Sequence, residues 1–184
     1  KAWANLSEKT FKKKLFWTSF FISFVYVLVT YYLYTYFRGE PFEYDPTDGL
    51  GYHNEAVWCL DMFKQGQLSN YISWYQENHD FSDKGYLAYL NTLYCIFGPN
   101  ILLARVLKCI YRAWMCILVY KLASRTFGKE VGRMAAIFCM LMPNFSFYAA
   151  SHRKEMEMLL LNLLFMERTD FVIRSKHYNF INII

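Results

Sequence analysis

The sequence lacks the short motifs that mark the common soluble enzyme chemistries. It has no HExxH pair, no GxSxG turn and no glycine-rich phosphate loop. Its five cysteines contain no CxxC pair, and none stands at zinc-finger spacing from a histidine. Because four of them lie in apolar surroundings, we interpret them as small buried hydrophobic residues rather than as a disulfide framework or a metal site.

Charged residues are also sparse, at 19% of 184 residues, whereas apolar residues make up 55% and aromatic residues 21%. This composition is typical of a chain that meets the membrane–water interface repeatedly. The net charge of +5 does not indicate a nucleic-acid partner, since the basic residues cluster beside hydrophobic runs. The chain starts at Lys1 and ends on an apolar run, so we expect it to be a piece of a longer protein.

One hydrophobic run predicts a transmembrane helix directly. It extends from Leu15 to Phe37 without a charged residue and, at ~1.5 Å per residue, measures about 34 Å, enough to cross a hydrocarbon core of ~30 Å. Three further spans follow, of which the fourth is the weakest by hydropathy. The predicted division is a basic N-terminus (1–14), spans at 15–37, 101–120, 131–150 and 156–174, an outer loop (38–100), a cytoplasmic loop (121–130), an outer turn (151–155) and the start of a further segment (175–184).

The basic residues predict the orientation of these spans. They fall in three groups: Lys9 to Lys14, Lys121 to Arg133, and Arg168 to Lys176. If four spans alternate in direction, all three groups lie on one side, which the positive-inside rule makes cytoplasmic. We therefore expect an integral, multi-pass membrane protein with a cytoplasmic N-terminus and with the loop 38–100 outside.

The outer loop is too long for a plain connection. Helical spacing over Tyr52–Lys64, Leu68–Gln76 and Tyr86–Phe97 predicts amphipathic helices on the outer membrane surface, where their aromatic faces would contact membrane lipids. The last of these ends at Gly98-Pro99, a helix stop. The alternative is a small extracellular domain unrelated to chemistry.

The order of these features resembles the GT-C membrane glycosyltransferases, among them the protein O-mannosyltransferases and the aminoarabinose transferase of lipid A. The first motif is Asp48-Gly-Leu-Gly-Tyr52-His-Asn-Glu-Ala56, although many relatives carry a second acid after the first. The resemblance covers about residues 15 to 168. Its other short motifs are Lys84-Gly85-Tyr86 without the relatives' prolines, Ile96-Phe97-Gly98, Arg105, Phe127-Gly128, Pro143 and Arg153-Lys154-Glu155.

The resemblance implies an all-α, polytopic GT-C-like fold with about four transmembrane helices here and amphipathic surface helices in the first outer loop. It also implies an inverting glycosyltransferase that takes sugar from a polyprenyl-phosphate carrier at the outer membrane face. The acceptor would be a hydroxyl of a glycan, lipid or protein. Such a reaction needs a carboxylate base for the acceptor and positive charge for the departing phosphate.

Asp48 is the first candidate for the base, because it lies in the motif that resembles the family's catalytic acid. Asp45 is the reserve candidate. The alternative is that both aspartates, which flank Pro46-Thr47, serve as turn formers and helix caps.

Candidate phosphate ligands are basic residues at or below the outer face. Arg105, Lys108 and Arg112 share one face of the second span, and since a charge in the bilayer costs at least ~2.5 kcal/mol, this face should point inward. We assign Arg105 and Lys108 to the donor phosphate, while Arg112 falls nearer the midplane. The alternative is that they pair with Glu155, Glu157 or Asp61 and hold the bundle together.

Lys84 and Arg153 complete the predicted phosphate-binding set, with an ordinary exposed lysine as the alternative for Lys84. Glu155 is a candidate second acid. A divalent metal ion is a candidate cofactor whose ligands stay open, because Glu155 and Glu157 would point about 200° apart on a helix. We interpret His53, inside the first motif, as an exposed polar residue.

Two other classes of protein compete with the enzyme. In a transporter or channel fragment, the basic stripe would form an anion path. A non-catalytic membrane subunit is the third class. The long aromatic outer loop with its acidic motif favours the enzyme, and no internal repeat supports a transporter.

Overall fold

The computed structural model describes residues 3, 5–44, 47–78 and 81–175, and in these ranges the chain is helical with no strand. The prediction of an all-α chain is therefore confirmed for this part. Its helices are α1 (Glu8–Arg38), α2 (Thr47–Lys64), α3 (Leu68–Asn78), α4 (Phe81–Phe97), α5 (Ile101–Phe127), α6 (Lys129–Leu141), α7 (Pro143–Ala150) and α8 (Glu155–Ser175).

Helices α1 and α5 pack antiparallel along the middle of the molecule. Near the start of α1, the Phe11 ring lies 5.0 Å from the Tyr120 ring late in α5. At the other end, the ring of Tyr31 lies 6.0 Å from the guanidinium of Arg105, one turn into α5. The first two predicted spans alternate in direction, which requires this antiparallel packing.

The hairpin between α5 and α6 is closely packed because of two glycines. Gly128 ends α5 with a φ of 93°, a backbone conformation that favours glycine. Gly132 lies against Ser124, so that a Cβ at position 132 would stand 2.0 Å from Ser124 Oγ and 2.8 Å from its backbone nitrogen. The backbones of the two helices therefore meet where only glycine fits.

Gly132→Ala is expected to force α6 away from α5 and to lower stability by about 1–3 kcal/mol, the usual cost of overpacking. The measurement is the thermal unfolding midpoint of the purified protein in detergent. Gly85→Ala is the matched control, because a Cβ at this exposed helical glycine would meet nothing within 4 Å. It should leave the midpoint unchanged or raise it. Equal midpoints for the two variants would contradict the close packing.

The predicted third span is divided into two helices. Helix α6 ends at Leu141, and α7 begins at Pro143, which has no N–H to continue the ladder of the preceding helix. Arg112 of α5 donates hydrogen bonds to groups at this break. Its Nη2 donates to the carbonyl oxygens of Met140 and Met142 at 2.6 and 3.3 Å. Its Nη1 donates to Ser146 Oγ at 2.7 Å and to Ser23 Oγ at 2.8 Å.

The three basic groups of the sequence lie toward one end of the helix bundle. Arg133 at the start of α6 donates to the carbonyl oxygens of Trp3 and Leu6 at the N-terminus, at 3.0 and 2.5 Å. Arg174 near the end of α8 donates to Thr126 Oγ1 at 3.3 Å, beside the α5–α6 turn. The predicted segment 175–184 lies almost wholly outside the described residues.

Among the described helices, α1 is long and apolar enough to cross a membrane by length and composition. Helix α5 carries its buried basic residues, and the break before Pro143 leaves α6 and α7 short. The multi-pass arrangement and the cytoplasmic N-terminus therefore stay predictions.

The predicted outer loop forms α2, α3 and α4, over the three segments where helices were predicted. Helix α4 packs on α2 through a core that includes Ala56, Leu90 and Tyr94 and continues into Ala104 of α5. This shared core joins α2 and α4 to the end of the bundle where α5 begins. Among the cysteines, Cys59, Cys109, Cys116 and Cys139 are buried, as interpreted, whereas Cys95 is exposed and the interpretation is wrong there.

Candidate functional site

Polar residues from distant parts of the chain meet at the end of the bundle where α5 begins. Asn100 caps this end of α5 by accepting a hydrogen bond from the backbone N–H of Leu103 at 3.0 Å. The end of α1, the start of α2, the middle of α4 and the turn between α7 and α8 surround it. The side chains that they bring together are Glu43, His53, Asp83, Tyr94, Arg105, Lys108, His152 and Arg153.

Arg105 is the least satisfied side chain of this cluster. It is 0% exposed, yet none of its three guanidinium nitrogens has a hydrogen-bond partner among the described residues. Two aromatic rings flank it, with Tyr31 at 6.0 Å and Phe42 at 5.8 Å from the guanidinium carbon. The carboxylate of Glu43 attracts this guanidinium, but no described residue accepts a hydrogen bond from it. Because a buried cation without hydrogen-bond partners is strongly disfavoured, this geometry favours binding of a further anion.

Lys108, one turn deeper on α5, is already engaged by protein groups. Its ammonium donates to Tyr86 Oη at 3.3 Å, to the carbonyl oxygen of Ser151 at 3.2 Å and to that of Arg153. It also lies 3.5 Å from a carboxylate oxygen of Glu157. These contacts match the alternative in which Lys108 holds the bundle together, and they fix the outer turn over α5.

Asp48 lies in the first turn of α2 with an exposed side chain. The next residue, Gly49, packs closely on the outer turn, because a Cβ at that position would lie 3.4 Å from His152 Cβ. Helix α2 thus begins directly against the turn that lies beside Arg105. Asp45, the reserve candidate, lies outside the described residues.

Asp83 was missed by the sequence analysis. It accepts a hydrogen bond from Tyr52 Oη at 3.0 Å and forms an ion pair with Lys154. Burial, followed by this hydrogen bond, raises the pKa of Tyr52 well above its usual range. Asp83 therefore links the start of α4 both to the Asp48 motif and to the outer turn.

The remaining predicted site residues, Lys84, Arg153 and Glu155, have different partners. Lys84 donates to the carbonyl oxygen of Gln76 at 3.1 Å. The guanidinium Nε of Arg153 lies 3.2 Å from Glu43 Oε1. Glu155 begins α8 and has one buried carboxylate oxygen without a hydrogen-bond partner among the described residues.

Metal-ligating side chains do not form a cluster of three or more within the described residues. Glu157 faces Lys108 instead of sharing a site with Glu155. The donor set that a metal ion would need is therefore not assembled by the described residues.

Two histidines and a tyrosine form a hydrogen-bonded chain beside Arg105. His53 Nδ1 lies 2.8 Å from Tyr94 Oη, which in turn lies 3.4 Å from His152 Nε2. Burial and then the positive charge of Arg105 lower the pKa of His53, and burial lowers that of His152 further. The interpretation of His53 as an exposed polar residue is wrong, because α4 and the outer turn cover one side of its ring.

A cleft of about 400 Å³ opens next to this chain. Tyr31, His53 and the α4–α5 turn from Phe97 to Ile101 line it. Because Tyr31 lines this cleft and its ring also flanks the guanidinium of Arg105, the cleft lies next to the buried guanidinium.

Residues 86–170 match the model of the dolichyl-phosphate-mannose-protein mannosyltransferase family. The match extends from the first part of α4 to near the end of α8, so it includes Arg105, Lys108, Arg153 and Glu155 but not Asp48 or Lys84. It supports, at the level of the class, the similarity to GT-C membrane glycosyltransferases. No curated protein and no solved structure matches the chain.

Proposed function

We propose that this chain is part of a GT-C membrane glycosyltransferase that moves a sugar from a polyprenyl-phosphate carrier to an acceptor hydroxyl at the outer membrane face. The observation that carries the proposal is Arg105, a fully buried guanidinium with no partner among the described residues, inside the segment that matches the mannosyltransferase family. A phosphate that enters from the lipid would supply the missing negative charge.

In the proposed reaction, Asp48 takes the proton of the acceptor hydroxyl as its oxygen attacks the anomeric carbon. The bond between that carbon and the phosphate oxygen breaks, and the polyprenyl phosphate leaves with the electron pair. Arg105 stabilises the charge on the departing phosphate. Direct displacement of this kind inverts the anomeric carbon.

The remaining basic residues have supporting roles in this proposal. Lys108 fixes the carbonyl groups of the outer turn, and Arg153 is positioned by Glu43 at the rim of the site. Lys84 lies beside Asp83 at the start of α4, where it can contact the donor or the acceptor. Glu155, with its unpartnered oxygen, stays the candidate second acid.

The contacts of the basic stripe argue against an anion path. Such a path needs successive charges that an ion can reach. Lys108 and Arg112, the two charges below Arg105, are fully buried and already donate to carbonyl and hydroxyl groups of the protein. Arg105, which has no hydrogen-bond partner among the described residues, stands at the end of the bundle and suits a binding site better than a channel.

The orientation is proposed on the same basis as the chemistry. The basic groups at the N-terminus, the α5–α6 turn and the end of α8 lie toward one end of the bundle, and the Arg105 cluster lies at the other. By the positive-inside rule the first end is cytoplasmic, which puts the N-terminus inside and the site outside.

The test is consumption of lipid-linked sugar by membranes that contain the full-length protein. We expect radiolabelled sugar to leave dolichyl-phosphate mannose, or another sugar in a polyprenyl-phosphate panel, and to appear in a glycan, lipid or protein acceptor. Membranes from the same host without the protein are the control. If intact protein consumes no donor in the panel, the enzyme is ruled out in favour of a non-catalytic subunit.

A further inference from the structure

In the hydrogen-bonded chain of His53, Tyr94 and His152, the burial of His152 determines which group donates and which accepts. His152 is 0% exposed, and its Nδ1 has no hydrogen-bond partner among the described residues. If Nδ1 carried the proton, a donor would be buried without an acceptor, which native structures largely avoid. The favoured tautomer of His152 therefore carries its proton on Nε2.

The rest of the chain follows from that tautomer. His152 Nε2–H donates to Tyr94 Oη at 3.4 Å, so the hydroxyl of Tyr94 donates in turn to His53 Nδ1 at 2.8 Å. A neutral His53 whose Nδ1 accepts must carry its own proton on Nε2. This nitrogen has no partner among the described residues, and His53 lines the cleft beside Arg105.

We propose that His53 is a second phosphate-binding residue of this site and that it donates its Nε2–H, as an uncharged imidazole held by Tyr94 and His152, to the phosphate of the lipid-linked donor in the cleft. This inference rests on the proposed function and assigns the place of the donor's phosphate group, between His53 and Arg105.

The charges around His53 make an uncharged donor the suitable group here. Arg105 from α5 lowers the pKa of His53, Glu40 after α1 opposes this effect more weakly, and burial is the largest cause. The other titratable groups that face it are Tyr94 of α4, His152 of the outer turn and Tyr31 of α1 at the cleft. A neutral N–H adds a hydrogen bond to the phosphate without placing a second cation next to the guanidinium.

The experiment compares His53→Gln with His53→Asn and His53→Phe in the full-length protein. The amide nitrogen of Gln can replace Nε2, that of Asn falls near Nδ1 and so faces Tyr94, and Phe keeps the ring without a donor. We expect the KM for dolichyl-phosphate mannose to rise about tenfold in the Asn and Phe variants and to stay within about threefold in the Gln variant, the effect of one hydrogen bond to an anion. Tyr94→Phe should raise KM by about threefold, since the tautomer of His53 is no longer fixed.

The outcomes separate this inference from the proposed function. Wild-type protein that consumes no polyprenyl-phosphate sugar removes the function itself. Wild-type activity together with an unchanged KM in the Phe variant, or with a Gln variant no better than Phe, overturns the role of His53 alone. Competition by dolichyl phosphate that the Phe variant weakens supports a lipid-linked ligand. Equal competition by inorganic phosphate at the same concentration would assign the cleft to the free anion and overturn the assignment to the donor.

Discussion

Asp48→Asn is expected to lower the rate of sugar transfer by about 10²–10⁴-fold, the range for loss of a general base. The amide has the same shape as the carboxylate but cannot take the proton of the acceptor hydroxyl. Because the Asp48 side chain is exposed in the first turn of α2, the substitution should preserve the fold and the KM for the donor. The measurement is the transfer rate at saturating polyprenyl-phosphate sugar, with the unfolding midpoint as a check on folding.

Asp61→Asn is the matched control, since Asp61 is another exposed carboxylate of α2, more than three turns further along the helix. It should transfer sugar at the wild-type rate. Full activity in Asp48→Asn would remove Asp48 as the base, and Asp45→Asn, made in parallel, then shows whether the reserve candidate takes the role. Equal losses in the Asp48 and Asp61 variants would indicate a general effect on α2 instead of a catalytic one.

Local signals in the sequence predicted the helices well. Gly98-Pro99 marked the end of α4, and α5 begins at Ile101 as expected, with Asn100 as its cap. Helical spacing over Leu68–Gln76 found α3 to within two residues. Such signals act between neighbours in the chain, so the sequence displays them directly. The sequence predicted one continuous span over 131–150 and not the break before Pro143. The hydrogen-bond donors that stabilise this break come from Arg112 on another helix.

The partners of the site residues could not be predicted in the same way. Glu43 and Arg153 are 110 positions apart, and Tyr94 and His152 are 58 apart. Helical spacing predicted that Lys108 and Arg105 share a face. Their hydrogen bonding differs because the turn between α7 and α8 presents two carbonyl oxygens to Lys108 and none to Arg105. The role of a buried charge depends on which groups the fold brings to it.

Replacing Arg105 with Leu should nearly abolish activity without weakening the fold. If the guanidinium stabilises the departing phosphate, its loss is expected to reduce transfer by about 10²–10³-fold, as for removal of other electrostatic donors. Because Arg105 has no hydrogen-bond partner among the described residues, its removal takes no hydrogen bond from any of them. Exchange of an unpaired buried charge for an apolar side chain should leave the unfolding midpoint unchanged or raise it.

Arg112→Leu is the matched comparison for Arg105→Leu. Arg112 lies two turns from Arg105 on the same helix and is equally buried, but it hydrogen bonds to Ser23, Ser146 and the carbonyl groups at the α6–α7 break. Its loss removes the donor to the Met140 carbonyl oxygen and to Ser146 Oγ at the break, and should cost at least about 3 kcal/mol. We therefore expect opposite phenotypes from two arginines of one helix, one inactive and stable, the other unstable. A drop in the unfolding midpoint of Arg105→Leu as large as that of Arg112→Leu would show that Arg105 has a structural partner, and the anion site would lose its basis.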